Sequence, residues 1–273
     1  MTDCYAVVGN PIAHSKSPLI HTAFARQTQQ DLRYEAILAP LDGFISTVEA
    51  FRQQDGKGIN ITVPFKLEAC RFATELTERA NIAQAVNTLK FESDTILGDN
   101  TDGAGLVQDI TVNLSIPIAG KRVLLMGAGG AARGVILPLL QQQPATLAIA
   151  NRTPQKALDL QRQFAAYGRI SAGSYMDFAG THFDIVINAT AASLNDGLPE
   201  LPDGIFAAGA LAYDMMYSKE PTCFLKYAAQ QNVQCLADGI GMLVEQAAES
   251  FHLWRSIRPD TATIIAQLKN SSN

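Results

Sequence analysis

Lys66 follows a strand-like run, Gly58-Ile59-Asn60-Ile61-Thr62-Val63, after only a proline and a phenylalanine, a position from which an ammonium group can stand at the mouth of a sheet. Within the run Ile59, Ile61 and Val63 alternate with Asn60 and Thr62, so one face is apolar and the other polar. Pro64 has no amide hydrogen and biases Val63 toward extended geometry, so the ladder should stop there. Alone, such a lysine reads as a solvated residue opening a helix. Its company points elsewhere. Ser15, Ser17, Asn87 and Asp102 occupy comparable strand-to-loop positions and, with Thr62, make a small, convergent polar pocket. Together with Tyr217 and Gln246 these residues offer hydroxyls and amides rather than a guanidinium cluster, which suits a polyhydroxylated ligand with one carboxylate. Lys66 would supply a cation able to stabilise negative charge developing on an oxygen. His14 and His21 read as local structural residues.

A second constellation begins at Gly127-Ala128-Gly129-Gly130-Ala131-Ala132, a G-x-G-x-x-A pattern between an apolar strand and a helix. Gly127 permits the tight turn, Gly129 lets amides approach a pyrophosphate, and Ala132 allows close packing of helix on strand. The first amides of the helix carry positive partial charge. A glycine turn chosen for packing alone is the competing reading. The next strand ends in Asn151-Arg152-Thr153-Pro154-Gln155-Lys156, with no acid to meet the ribose hydroxyl of NAD. A guanidinium, a hydroxyl and an amide stand there instead, with Lys156 one turn on, and this set implies NADP. The alternative is that Arg152 and Thr153 merely cap the following helix.

These residues need elements to hold them. Residues 4–8, 33–39 and 59–63 read as strands, with helices after Pro18 and across 42–53. The stripe Ala69, Phe72, Ala73, Leu76 and Ala80 predicts one helix over 66–80. Residues 86–91 and 95–98 flank Glu92-Ser93-Asp94 as a hairpin, which makes the first sheet mixed. Beyond Gly105 a helical stretch leads to the buried parallel strand Val123–Met126, followed by strands at 146–150, 184–188 and 211–214 with helical segments between them. The expected fold is α/β: an N-terminal α/β domain with a mixed sheet, then a Rossmann-type doubly wound domain. From Ile240, the residues Leu243, Ala247, Phe251 and Trp254 form one stripe of a long helix that also carries Gln246.

Composition narrows the partners. The 273 residues are 47% apolar and 17% charged with a net charge of −5, so no basic surface invites nucleic acid or an anionic membrane. Cys4, Cys70, Cys223 and Cys235 show no paired spacing and the four histidines no zinc pattern, which points to reduced thiols, no metal and the cytoplasm. Met1-Thr2-Asp3 opens no secretory pattern, and no apolar run approaches the ~20 residues that span a bilayer. A homodimer is compatible with the sequence, which leaves the oligomeric state open.

The motifs also resemble a family. His14-Ser15-Lys16-Ser17-Pro18, Asn60-Ile61-Thr62-Val63-Pro64-Phe65-Lys66, Ala85-Val86-Asn87-Thr88 and Asp99-Asn100-Thr101-Asp102-Gly103 are similar to successive signatures of the bacterial shikimate dehydrogenases. The likeness continues through Gly127–Arg133, Asn151-Arg152-Thr153, Asn188-Ala189-Thr190, Tyr213-Asp214-Met215 and Ala237-Asp238-Gly239-Ile240-Gly241-Met242, and so covers essentially the whole chain. It implies a substrate domain at 1–104, completed by helices in 240–273, and an NADP-binding domain at 105–239. It implies reversible reduction of 3-dehydroshikimate to shikimate by NADPH. Ser15, Ser17 and Tyr217 would hold the carboxylate; Thr62, Asn87, Asp102 and Gln246 the ring hydroxyls; and Lys66 with Asp102 the reacting oxygen. Gly127, Ala128, Gly129, Gly130, Ala131, Asn151, Arg152, Thr153, Lys156, Thr190, Met215 and Gly239 would contact NADP. The chain departs from the family pattern at Ala191-Ala192-Ser193 and at Pro221-Thr222-Cys223. Two other readings stand beside this one: a quinate/shikimate dehydrogenase of broader scope, against which Asn151-Arg152-Thr153 argues, and a non-catalytic NADP- or metabolite-sensing module, which intact Lys66 and Asp102 disfavour.

Overall fold

The computed structural model describes residues 2–190, 197 and 201–270. The chain divides into two compact units, Met1–Gly105 with Val244–Ile264, and Leu106–Leu243 with Ile265–Asn273.

In the first unit β1 (Asp3–Gly9), β2 (Leu32–Leu38), β3 (Gly56–Ile61), β4 (Glu75–Leu76), β5 (Thr88–Phe91) and β6 (Ile96–Asp99) form a sheet of order β2-β1-β3-β5-β6-β4. β1 pairs in parallel with β2 and β3, whereas β3–β5 and β5–β6 are antiparallel, so the sheet is mixed. One face is closed by Ala6, Val8, Ile59, Ile61 and Leu89 packed with Phe44, Phe51 and Phe65. The other gathers Tyr5, Val7, Tyr34 and Trp254, the last from the helix Ile240–Arg255. Trp254 donates its indole N–H to the Leu89 carbonyl at 3.0 Å. A Cβ at Gly58 would lie 2.5 Å from that indole nitrogen, so only glycine lets the ring come this close.

The single helix expected over 66–80 is broken. A helix at Lys66–Phe72 ends at Ala73 in extended geometry, and a second runs Glu78–Ala83. Two local demands win over the apolar stripe. Thr74 donates its amide to the Ile96 carbonyl at 2.9 Å, drawing Glu75–Leu76 into the sheet beside β6. Thr77 then caps the second helix by accepting from the Ala80 amide.

The second unit holds β7 (Arg122–Met126), β8 (Thr146–Ala150), β9 (Ile170–Gly173), β10 (Phe183–Asn188), β11 (Phe206–Asp214) and β12 (Cys235–Ala237), all parallel in the order β12-β11-β10-β7-β8-β9. This is the doubly wound Rossmann arrangement, whose order reverses between β7 and β10 and leaves a crevice beyond their carboxyl ends. The edge strands β9 and β12 were not legible as strands in the sequence, since four and three residues are too few to show a period. Among the described residues no helix is long and apolar enough to cross a membrane, and all four cysteines are free thiols.

His21 lies wholly inside the first unit, stacked on Tyr34 with ring centroids 4.2 Å apart. Neither ring nitrogen makes a hydrogen bond of good geometry. Burial pushes its pKa down to about 3, opposed only in part by the Asn60 amide. The folded chain therefore keeps His21 neutral where the unfolded chain takes up a proton, below its ordinary value of 6.5. That contribution to stability is complete above 6.5 and is lost as pH falls through the window to about 3, the unfolding constant rising by up to about tenfold per pH unit. Denaturant unfolding of wild type and His21→Phe from neutral pH to mild acid should show the wild-type slope steeper by one proton. Parallel slopes would show that His21 is protonated in the fold.

Candidate active site

The clearest polar constellation sits in the first unit, where the turn after β3 and the segment after β6 come together. Gly98 and Asp99 end β6, and the next residues are held by their own side chains. Burial opposes ionisation of Asp99, but hydrogen bonds and the charge of Arg79 outweigh it and hold the carboxyl below its usual range, helped by Thr77 and the Asn100 amide. Arg79 donates to both Asp99 oxygens, at 2.7 and 2.5 Å. Asn100 donates its side-chain amide to the Ala85 carbonyl at 3.0 Å and accepts from the Asp102 amide at 3.2 Å. Asp102 is thereby presented from a fixed turn at the start of the helix Asp102–Gln108.

Lys66 donates to Asp102 Oδ2 at 2.5 Å, with side-chain exposures of 18% and 8%. The other carboxylate oxygen accepts from Asn87 Nδ2 at 2.8 Å. Asn87 is oriented without ambiguity, because its Oδ1 accepts from the Thr101 amide at 2.9 Å, a group that can only donate. Gln246 turns its Oε1 toward the same cluster, accepting from Asn87 and Thr101 at 3.4 Å each. Gly105 lets the helix that carries Gln246 come this close, since a Cβ there would stand 2.6 Å from the Gln246 main-chain nitrogen.

Thr62 opens the turn between β3 and Lys66, accepting from the Phe65 amide at 3.1 Å. Its methyl group lies where a Cβ on Gly9 would intrude, 2.3 Å away. Ser15 and Ser17 meet at the start of the helix Ser17–Gln27, where the Ser17 amide donates to Ser15 Oγ at 3.3 Å. Ser17 also hydrogen-bonds the buried Tyr34 phenol, whose pKa burial raises well above its ordinary value. The structure thus joins Lys66, Asn87, Asp102 and Gln246 directly, with Thr62 in the turn that carries Lys66 and Ser17 tied to Tyr34.

Sequence reasoning missed Tyr34, Thr101 and Ser250, and took Asn60 only as a polar-face residue. Tyr34 donates to Asn60 Oδ1 at 2.7 Å, and Asn60 donates to Ser250 Oγ at 3.0 Å. Ser250 carried one usable signal, standing one turn beyond Gln246 on the same helix face. Tyr34 carried none.

In the second unit the glycine turn follows β7. Gly127 has φ +108°, a conformation that strains any L side chain. A Cβ at Gly129 or Gly130 would meet nothing within 4 Å, so space lies open over the turn. The helix Gly130–Gln141 starts without a side-chain cap, and its first amides remain available to an anion. Arg152 and Thr153 are exposed at the end of β8, and among the described residues Arg152 carries no ion pair. Nearby Tyr175 is pushed up to about 12 by burial, against the Arg152 charge. Thr153 makes no capping bond to the helix Pro154–Gln163, so its hydroxyl is not committed there. Lys156 lies on the exposed first turn of that helix. An open glycine turn, an uncapped helix start and an uncommitted guanidinium fit a dinucleotide with a 2′-phosphate.

Asn188 and Asp214 organise the neighbouring strand ends. Asn188 donates to Asp214 Oδ2 at 3.2 Å, and Thr190 donates its hydroxyl to Asn188 Oδ1 at 2.7 Å. Despite the changed order at Pro221-Thr222-Cys223, Thr222 caps the helix Cys223–Gln230 and donates to Asp214 at 2.6 Å. Met215 is buried, and Gly239 packs so tightly on it that a Cβ would stand 2.2 Å from the Met215 carbonyl oxygen. Tyr217 is half-buried, and burial raises its phenol above the ordinary value. Ala191-Ala192-Ser193 lies outside the described residues.

Fold and site define a two-unit α/β protein with a dinucleotide-binding Rossmann sheet and, in the first unit, a polar cluster built round a lysine–aspartate pair. Comparison gives the family. Residues 7–89 match the model of the shikimate dehydrogenase substrate binding domain, 109–195 that of shikimate / quinate 5-dehydrogenase, and 239–269 that of the shikimate 5'-dehydrogenase C-terminal domain. A relative from Nitrosospira multiformis, named shikimate dehydrogenase (NADP(+)), is 66% identical across 99% of this chain and 98% of its own. Among solved structures, an Ael1 enzyme from Pseudomonas putida is 51% identical with a TM-score of 0.93, covering 98% of each chain. A shikimate 5-dehydrogenase from Thermus thermophilus, solved in complex with NADP(H) and shikimate, is 28% identical with a TM-score of 0.87 and covers 100% of both chains. The chain belongs to the shikimate dehydrogenase family.

Proposed function

We propose that this chain is an NADP-dependent shikimate dehydrogenase, which reduces the ketone of 3-dehydroshikimate reversibly to the alcohol of shikimate. The observation that carries the reading is the Lys66–Asp102 pair at 2.5 Å, held by Asn87, which itself is bonded to Thr101 and Gln246. The first unit binds the substrate and the second the cofactor. Bound NADPH supplies the hydride. Lys66, cationic and held by Asp102, stabilises the oxygen on which negative charge develops and supplies its proton. Asp102 orients the ammonium and accepts a hydrogen bond from the same hydroxyl, and in the reverse direction the proton returns to Lys66. Asn87, Thr62 and Gln246 fix the ring hydroxyls, while Ser15, Ser17 and Tyr217 hold the carboxylate.

On the cofactor side Gly127, Ala128, Gly129, Gly130 and Ala131 cradle the pyrophosphate, and Asn151, Arg152, Thr153 and Lys156 take the 2′-phosphate. Thr190, Met215 and Gly239 line the remainder. Free thiols at all four cysteines suit a reducing, cytoplasmic setting. Absorbance at the reduced-nicotinamide band, followed after mixing the protein with shikimate and NADP, tests the activity. Arms with quinate and with NAD separate it from a broader dehydrogenase. No reduction with any pair would leave a binding module.

A carboxylate held by neutral donors needs several of them, so each should matter. Calorimetric titration of Ser17→Ala should show shikimate affinity reduced by roughly five- to tenfold and NADP affinity unchanged. Unaltered shikimate binding would move the carboxylate elsewhere.

A further inference from the structure

Asn60 is buried, and both polar atoms of its side chain are engaged. Its Nδ2 has two hydrogens for three acceptors, the Asn87 carbonyl at 3.3 Å, Thr88 Oγ1 at 3.0 Å and Ser250 Oγ at 3.0 Å, so one hydrogen is shared. Because a main-chain carbonyl can only accept, the amide nitrogen must face Asn87 and the amide oxygen must face Tyr34. That oxygen takes the Tyr34 phenol proton at 2.7 Å. Thr88 in turn donates to Asn87 Oδ1 at 2.9 Å, and Asn87 donates to Asp102 at 2.8 Å. An unbroken series of direct hydrogen bonds therefore runs from Tyr34 through Asn60, Thr88 and Asn87 to Asp102 and Lys66.

We propose that Asn60 is a positioning residue for the reaction, acting on Asp102 through Asn87, with Tyr34 and Ser250 holding it in place. The proposal rests on the reading of Lys66 and Asp102 given above. Asn60 clamps Asn87 at two points, the main-chain carbonyl directly and the side-chain oxygen through Thr88. Without the clamp Asn87 keeps its bond from the Thr101 amide but loses its main-chain anchor and the fixed position of the Thr88 hydroxyl, so the donor that sets the plane of the Asp102 carboxylate shifts. A small displacement of a reacting group far from the altered residue is enough to cost about a hundredfold in rate. The location suits this role, since the network is closed to solvent and its hydrogen bonds are correspondingly strong.

The test is a double-mutant cycle on turnover using Asn60→Ala and Asp102→Asn, with NADP affinity and thermal midpoint measured for each variant. Asn60→Ala should lower kcat by roughly ten- to a hundredfold, with KM for NADP within about twofold of wild type. On the Asp102→Asn background the same change should cost little more, because the residue it acts through is already impaired. An equal loss on both backgrounds, or wild-type kcat in folded Asn60→Ala, overturns the proposal. Should Asn60→Ala fail to fold, Tyr34→Phe deletes one oxygen and keeps the ring stack; a severalfold fall in kcat at unchanged NADP affinity supports the proposal, and none overturns it. Full activity in Asp102→Asn would instead remove the underlying reading, and this inference with it.

Discussion

Lys66→Ala is expected to lower turnover by roughly a hundred- to a thousandfold while leaving substrate affinity largely intact. The ammonium lies 2.5 Å from Asp102 in a site with little exposure, so its charge acts through a medium less screening than water. A donor aimed at an oxygen that becomes negative only in the transition state contributes about 3–4 kcal/mol there and little to ground-state binding. Asp102→Asn should also be severely impaired, since it removes the charge that fixes the lysine and sets an amide NH2 against one of the two donors, Lys66 or Asn87. The pair share one hydrogen bond and one task, so their losses should not multiply. Turnover of the double variant should be close to that of the more damaged single variant. Near-normal turnover in Lys66→Ala would discard the mechanism, whereas multiplicative losses would keep both residues and abolish their partnership.

Arg152→Ala should raise KM for NADP by roughly ten- to a hundredfold and alter that for NAD far less, because a charge-assisted hydrogen bond contributes about 1.5–3 kcal/mol. Arg152 is exposed at the end of β8 and, among the described residues, is not spent on an internal ion pair. Its removal should therefore cost binding rather than folding. Lys156, one turn further on, should show the same selectivity at smaller size. Steady-state kinetics with both cofactors decide the matter. Equal losses with NADP and NAD would assign Arg152 to the shape of the turn instead of the 2′-phosphate.

Local pattern carried much of this protein. The β-branched alternation of 59–63 located β3, although the strand runs Gly56–Ile61 and leaves Val63 exposed; the glycine turn began between β7 and its helix, and the hairpin at 92–94 made the first sheet mixed. Each of these depends on a few neighbouring residues, whose φ/ψ preferences and side-chain period act at short range. The helix expected over 66–80 shows the limit. Its apolar stripe was real, but β6 offered Thr74 a hydrogen bond that the linear pattern did not contain.

The residues able to do chemistry were also legible, because lysine, carboxylate, amide and hydroxyl groups at strand ends are few enough to notice. Their partnership came only through the family resemblance and not from their spacing. Lys66 and Asp102 are 36 positions apart, and their 2.5 Å contact exists only because the turn after β3 and the clamped segment after β6 converge. Gln246 reaches the same cluster from 159 positions beyond Asn87, at a contact that Gly105 allows by having no Cβ. The sequence by itself determined which elements form and which groups are available, since both follow from short-range preferences. Only the tertiary structure decided that Tyr34, Asn60 and Ser250 support the site, because a buried hydrogen bond depends on direction and distance that no spacing along the chain encodes.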